Sequence, residues 1–295
     1  MRTTRVWLIV AAAFAFASVV MGTVVCATES GAACPNWPGC YPDQFAPEVA
    51  LNPMIEFVHR VIAGLTGPAV LIAAVVARKV PDPRPRRLAW IGLAGTLSAG
   101  IFGMLIVKVG IPWWLGMLDL ASALVATVAL TVAALLVAPG ARWAPGRTAW
   151  LAWTAVGTLV VMHLLALAVA GDNAFTRCIS WPLGVWETDH WPALQWVRIV
   201  LAGVAAVLIV LAVVAGVRLP RLRSAALASG AALVLEFMLG VVLLSGFDPL
   251  ILVTAYAVTA AVIFGAVALL AGRASVELVP TPETVEEPAA DATVR

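Results

Sequence analysis

The sequence predicts an all-α membrane protein with eight transmembrane helices, arranged as two tandem-repeated four-helix bundles. Three observations predict it. The chain of 295 residues is 62% hydrophobic and 12% charged, where an ordinary soluble domain carries roughly 25% charge. Eight apolar runs each approach the ~20 residues that carry a helix across a bilayer. Motifs also recur between the first four runs and the last four. The net charge of +2 is only the sum of basic loops and an acidic tail, and it implies no nucleic-acid partner.

The elements follow in chain order. The run at 7–27 sits behind the basic start "MRTTR" and could be read as a secretion signal. It has no clear small-x-small cleavage site, and Val25 is too bulky for a lipoprotein box in "TVVC", so it reads as a retained helix ending near Cys26. A long loop follows, carrying "CPNWPGC" from Cys34 to Cys40. The second run, 53–77, opens on "MIEFVHR". The segment 78–87, "RKVPDPRPRR", reads as a stiff basic connector suited to topology and anionic-lipid contact. Runs at 88–107 and 114–138 complete the first half, residues 1–148. Runs at 149–170, 192–216, 225–245 and 250–272 form the second half, residues 149–272, whose long loop carries "CISWPLG" from Cys178 to Gly184. The tail, 273–295, is rich in Pro, Ala and Glu without apolar periodicity, so disorder is expected there.

The halves align. "VVMG" (Val19 to Gly22) matches "VVMH" (Val160 to His163), which sets His163 over Gly22. Cys34, Trp37 and Pro38 match Cys178, Trp181 and Pro182 at a constant offset of 144. "HRVIAG" resembles "VRIVLAG", with Arg60 over Arg198 and His59 over Val197. "FGMLIVKVGIP" (Phe102 to Pro112) aligns without a gap on "LGVVLLSGFDP" (Leu239 to Pro249). Four helices per half give both halves the same topology, a parallel repeat about an axis along the membrane normal.

Basic residues set the expected orientation. Arg2, Arg5, Arg78, Lys79, Arg84, Arg86, Arg87, Arg142, Arg147, Arg218, Arg221, Arg223, Arg273 and Arg295 all fall on one side of eight spans. The other side has Lys108 and Arg177 in its loops, with Arg60 and Arg198 just inside helices. Both termini are therefore expected in the cytoplasm, and both cysteine loops outside. In that oxidising compartment Cys34 and Cys40 can form a disulfide across their six-residue spacing, or remain as two thiols. A Cys26–Cys178 bridge is a further pairing that sequence alone does not decide.

Ionisable groups within spans are costly and mark function. Glu56 and His59 are three apart and share one helix face. At a rise of 1.5 Å per residue, His59 lies roughly 9 Å below the outer surface. Histidine is a ligand for haem iron, and Arg60 beside it could hold a carboxylate such as a propionate. The alternative is a satisfied polar network capping the helix. His163 reads as a packing histidine or a replacement ligand. His190, in "WETDHWP", reads as interfacial with Trp186 and Trp191. Glu236 falls near mid-span and suits an interhelical bond or a cavity.

"CPNWPGC" followed by "EFVHR", within eight helices in two repeated halves, resembles the heme A synthase family over about residues 7–272. "GMLIVKVGIPWWLGMLDLA" resembles that family's passage from third to fourth helix. The resemblance implies a multi-pass plasma-membrane oxidoreductase that converts heme O to heme A, oxidising a ring methyl to a formyl for cytochrome oxidase. It implies a haem cofactor, b-type, with its iron, and heme O as substrate. Candidate partners are membrane lipid, a heme O synthase, an electron donor and a second copy of the chain. Glu56 then matches a glutamate of the chemistry, His59 the first of four haem-ligating histidines, and Cys34 with Cys40 the loop pair. Arg60 and Arg198 become candidate cofactor contacts.

The chain departs from the family at three histidine positions, which carry Asp119, Val197 and Tyr256. Valine cannot bind iron, whereas aspartate or tyrosinate can. Asp119 reads as an iron ligand or as a carboxylate neutralising Arg60 or His59. Three functions are therefore carried forward: a heme A synthase-like enzyme acting through Glu56 and His59, a non-catalytic haem-binding or haem-handling protein on that scaffold, and a transporter or assembly subunit without haem.

Overall fold

The computed structural model describes residues 2–110, 112–170, 175–188 and 191–279. Eight helices carry most of them: α1 (Arg2–Ala27), α2 (Leu51–Ala77), α3 (Pro83–Val109), α4 (Trp113–Leu136), α5 (Arg147–Val169), α6 (Pro192–Val217), α7 (Arg223–Leu244) and α8 (Leu250–Ser275). All eight are long and apolar enough to cross a membrane, and the protein is an all-α, multi-pass membrane protein. One end of the molecule carries the long loops after α1 and α5, here the loop end. The opposite, terminal end carries the start of α1 and the end of α8.

The helices overrun their apolar runs at the terminal end, for local reasons. α3 begins at Pro83, so Arg84, Arg86 and Arg87 are helical and the expected connector shrinks to residues 78–82. Proline suits the first helical turn because its missing N–H would have had no partner there. The Asp82 carboxylate caps the helix, accepting from the Arg84 amide at 2.9 Å. α2 continues through Pro68 without interruption. At the loop end α3 and α7 are followed by Gly110 (φ +89°) and Gly246 (φ +83°), a left-handed backbone that glycine adopts without a Cβ clash.

Helices α1 to α4 touch in a ring, and α5 to α8 do the same. Contacts of α4 with α5, α1 with α8, and α4 with α8 form the seam between the rings. The two rings are filled differently. In the first, the buried apolar cluster (Leu8, Ala11 and Ala15 of α1, Val70 and Ala73 of α2, Leu93 of α3, Leu130 and Ala133 of α4) occupies the terminal end only. In the second, the cluster runs the full depth and takes in Ile179 and Trp181 of the loop itself.

Two fasteners cross between the halves. Cys26, at the end of α1, is bonded to Cys178 in the second long loop. At the terminal end, β1 (Ala141–Trp143) pairs antiparallel with β2 (Val276–Leu278). The expected disorder of the tail therefore does not begin at residue 273. α8 continues to Ser275, and backbone pairing orders the residues through Val279, whose amide donates to the Gly140 carbonyl at 2.9 Å. The Trp153 indole N–H donates to Ser275 Oγ at 2.8 Å, which fixes the junction. The rest of the tail lies outside the described residues.

Candidate functional site

The first long loop is folded on itself before it meets the bundle. The Cys34–Cys40 disulfide closes it. Backbone bonds from Asn36 N–H to the Cys40 carbonyl (3.2 Å) and from Cys40 N–H to the Phe45 carbonyl (3.1 Å) shape the turn. The Phe45 ring meets Phe57 of α2 edge-on at 5.8 Å.

α2 holds this loop from below through two side chains one helical turn apart. The Glu56 carboxyl accepts the Cys34 amide at 2.8 Å and, on its other oxygen, the Arg60 guanidinium. Arg60 also donates to the carbonyls of Cys34, Asn36 and Gly39, the last at 3.0 Å. All four terminal N–H donors of Arg60 thus point at the loop or at Glu56, which is 3% exposed. In this arrangement Arg60 is a clasp on the loop.

His59 lies on the neighbouring face of α2. Its ring rests on the bare backbone of Gly22 in α1, where a Cβ would come within 3.3 Å of Cε1. Its Nδ1 is buried without a hydrogen bond, and no bond occupies Nε2. Asp119 of α4 stands beside Gly103 of α3, its Oδ1 4.0 Å from where a Cβ there would lie. The expectation that Asp119 neutralises Arg60 or His59 is not met. Arg60 is already taken by Glu56 and the loop, and Asp119 has no hydrogen-bond or ionic partner among the described residues. Two unsatisfied ligand-type side chains and two glycines thus occupy the level above the point where the apolar cluster of this half stops.

The second half repeats the clasp and closes the space. Arg198, fully buried, donates to the Thr176 carbonyl at 2.7 Å and the Ser180 carbonyl at 3.1 Å. Gln195 donates to the Gly184 carbonyl (2.7 Å) and to Glu187 (3.0 Å), and Glu187 also accepts the Leu183 amide (3.1 Å). Burial pushes the Glu187 carboxyl up from its ordinary 4.5, against the opposing pull of Arg198. Trp181 is 5% exposed where its repeat mate Trp37 is 44% exposed. Its ring lies 6.2 Å from that of Phe237, and its carbonyl accepts the Tyr256 hydroxyl at 3.0 Å. Leu183 reaches Gly240, the repeat mate of Gly103. The second loop is therefore packed into its half at a level that the buried apolar cluster of the first half does not reach. Val197 is 47% exposed on the outside of the bundle.

His163 is wholly buried with neither ring nitrogen hydrogen-bonded, and both oxygens of buried Glu236 are likewise unbonded. His190 lies outside the described residues. Sequence reasoning singled out His59 and Asp119 but missed Gly22 and Gly103 as their seats. The signal was present at Gly22, whose repeat mate is a histidine.

For an iron-bound haem, the fit is to one histidine. His59 offers a free Nε2, Asp119 a free carboxyl, and no group of three or more His, Cys, Asp or Glu gathers into a metal site among the described residues. Nδ1 lacks the hydrogen-bond acceptor that orients most metal-binding histidines. No family profile matches the chain. Part of it is similar to two curated proteins named heme A synthase. One, from Halalkalibacterium halodurans, is 34% identical over 95 residues, which are 29% of this chain and 32% of that protein. The other, from Shewanella oneidensis, is 30% identical over 116 residues, 33% of this chain and 35% of that protein. The chain thus matches about a third of the length of these relatives, a partial likeness to heme A synthases.

Proposed function

We propose that the chain is a heme A synthase-like oxidoreductase with one haem site, built in the first half at His59. The observation that carries this reading is the His59 ring on Gly22 with Nε2 unbonded, beneath a disulfide loop held by Glu56 and Arg60. The likeness to heme A synthases supports heme O as substrate. A bound haem iron supplies the electron transfer and oxygen chemistry that a methyl oxidation needs. The chain's own residues bind and exclude water: His59 offers the ligand nitrogen, Asp119 faces the same level from α4, and the loop covers it. Glu56 acts by positioning, because both of its oxygens hold the loop and its helix partner. The basic residues at the terminal end support a cytoplasmic location for both termini, and the two disulfides suit an outward-facing loop end.

One observation favours haem handling without turnover as the second reading. The second half has neither histidine at the matched positions, and its loop fills the equivalent space. Only one haem then fits, where cofactor and substrate would need two.

The test is an optical spectrum of the detergent-purified protein, with extracted haem identified chromatographically, for the parent and His59→Ala. Haem in the parent and none in the variant is expected. Heme A or a partly oxidised haem in the extract selects the enzyme, and haem b alone selects handling. A haem-free parent would sink both.

A further inference from the structure

We infer that the terminal end of α2 and α3 carries a binding site for the phosphate headgroup of an anionic phospholipid. A depression of about 530 Å³ is lined by Arg78, Arg86, Arg87, Trp90 and Ile91. Arg78 belongs to the turn after α2, and the other four to the first turns of α3. The site exists because α3 starts early: Pro83 and the Asp82 cap turn what reads as a loop into helix, and the helix fixes where Arg86, Arg87, Trp90 and Ile91 stand. Residues 87 and 90 or 91 are three or four apart and share a face.

Charge argues for an anion. Three arginines line the one depression with no carboxylate paired to any of them, and among the described residues the one ion pair, Glu56 with Arg60, lies at the opposite end. Like charges gathered this way repel unless an anion sits among them, and guanidinium forks match phosphate oxygens two at a time. Arg78 is held in place by the Trp90 ring, with its guanidinium carbon 4.7 Å from the ring centroid. The surroundings argue for a lipid over a dissolved anion. Trp90 and Ile91 are 38% and 46% exposed, and α3 is the least buried of the eight helices. Side chains of that kind at a helix end meet the boundary of the hydrocarbon, where acyl chains lie below a headgroup. The inference is independent of the haem reading.

The test uses the full chain, delipidated in detergent, and counts retained lipids by native mass spectrometry after addition of phosphatidylglycerol or phosphatidylcholine with the same acyl chains. The parent should retain phosphatidylglycerol preferentially. Arg86→Ala with Arg87→Ala should weaken that retention about 30-fold, at ~1 kcal/mol for each basic residue near a charged headgroup. Arg218→Ala with Arg223→Ala, which removes two unpaired arginines of the same end outside the depression, should leave it intact. Gel filtration checks that each variant is folded, and Arg86→Lys with Arg87→Lys keeps the charge should the alanine pair fail to fold. Equal retention of the two lipids by the parent, equal loss in both alanine pairs, or displacement of phosphatidylglycerol by inorganic phosphate would each overturn the assignment.

Discussion

An imidazole resting on a glycine keeps its place only while the Cβ is missing. A methyl at Gly22 would already lie 3.3 Å from His59 Cε1, closer than ordinary contact. Gly22→Val should therefore turn the ring out of position and weaken haem binding about 10- to 100-fold, the scale seen when support for a metal ligand is lost. Titration of the purified protein with hemin checks this, and unchanged affinity would separate Gly22 from the site. Glu187 has a pH signature of its own. Its folded value is raised by burial, so the native state holds its proton more tightly than the unfolded chain does. Its contribution then favours folding at low pH and is lost as pH rises from about 4.5 through the raised value. Glu187→Gln should flatten that part of the melting-temperature profile, read as the difference between variant and parent from pH 4 to 8. His59, Asp119 and Glu56 were legible as residues because ionisable groups are rare in apolar runs. What they touch was not. Arg60 and Arg198 bond to carbonyls of irregular loops, and no periodicity announces a carbonyl.

The helices were legible from apolar length, and the likeness of the two halves from motifs that recur in the same order. Helix starts were less so, because capping at Asp82 and Pro83 overrode the look of a proline-rich connector. Close approach between helices rests on small residues that the sequence does not distinguish from lipid-facing ones. Gly95 of α3 is such a point. A Cβ there would stand 2.8 Å from the Ser122 carbonyl of α4, which is backbone and cannot swing away. Gly95→Val should force α3 off α4 and destabilise by ~1–3 kcal/mol, the range for overpacking a filled contact. Thermal unfolding in detergent reads it directly, and a variant as stable as the parent would mean the two helices do not approach there. The same contrast explains the loops. Trp37 and Trp181 are equivalent in sequence, yet one is exposed and the other sealed against Phe237 and Tyr256.

At the scale of the molecule, the two halves are joined by covalent and backbone links on opposite faces. The Cys26–Cys178 bridge spans 152 residues, and removing a closure of that kind typically costs about 2–5 kcal/mol. Cys178→Ser should lower the melting temperature under non-reducing conditions while leaving Cys34 and Cys40 paired. An unchanged melt would argue against the bridge in solution. Four cysteines allow three pairings, so this one could be named from sequence but not chosen. The strand pair was not legible at all, because each strand has three residues and the partners are far apart in the chain. Their separation fixes an order of events during synthesis. Ala141–Trp143 is made when only the first half exists, and its edge stays unpaired while four more helices are threaded. Val276–Leu278 leaves the ribosome only after all eight helices have been made. A chain that stalls or is cut before residue 276 can make every span and still lack this seal, so synthesis beyond α8 is what closes the terminal end.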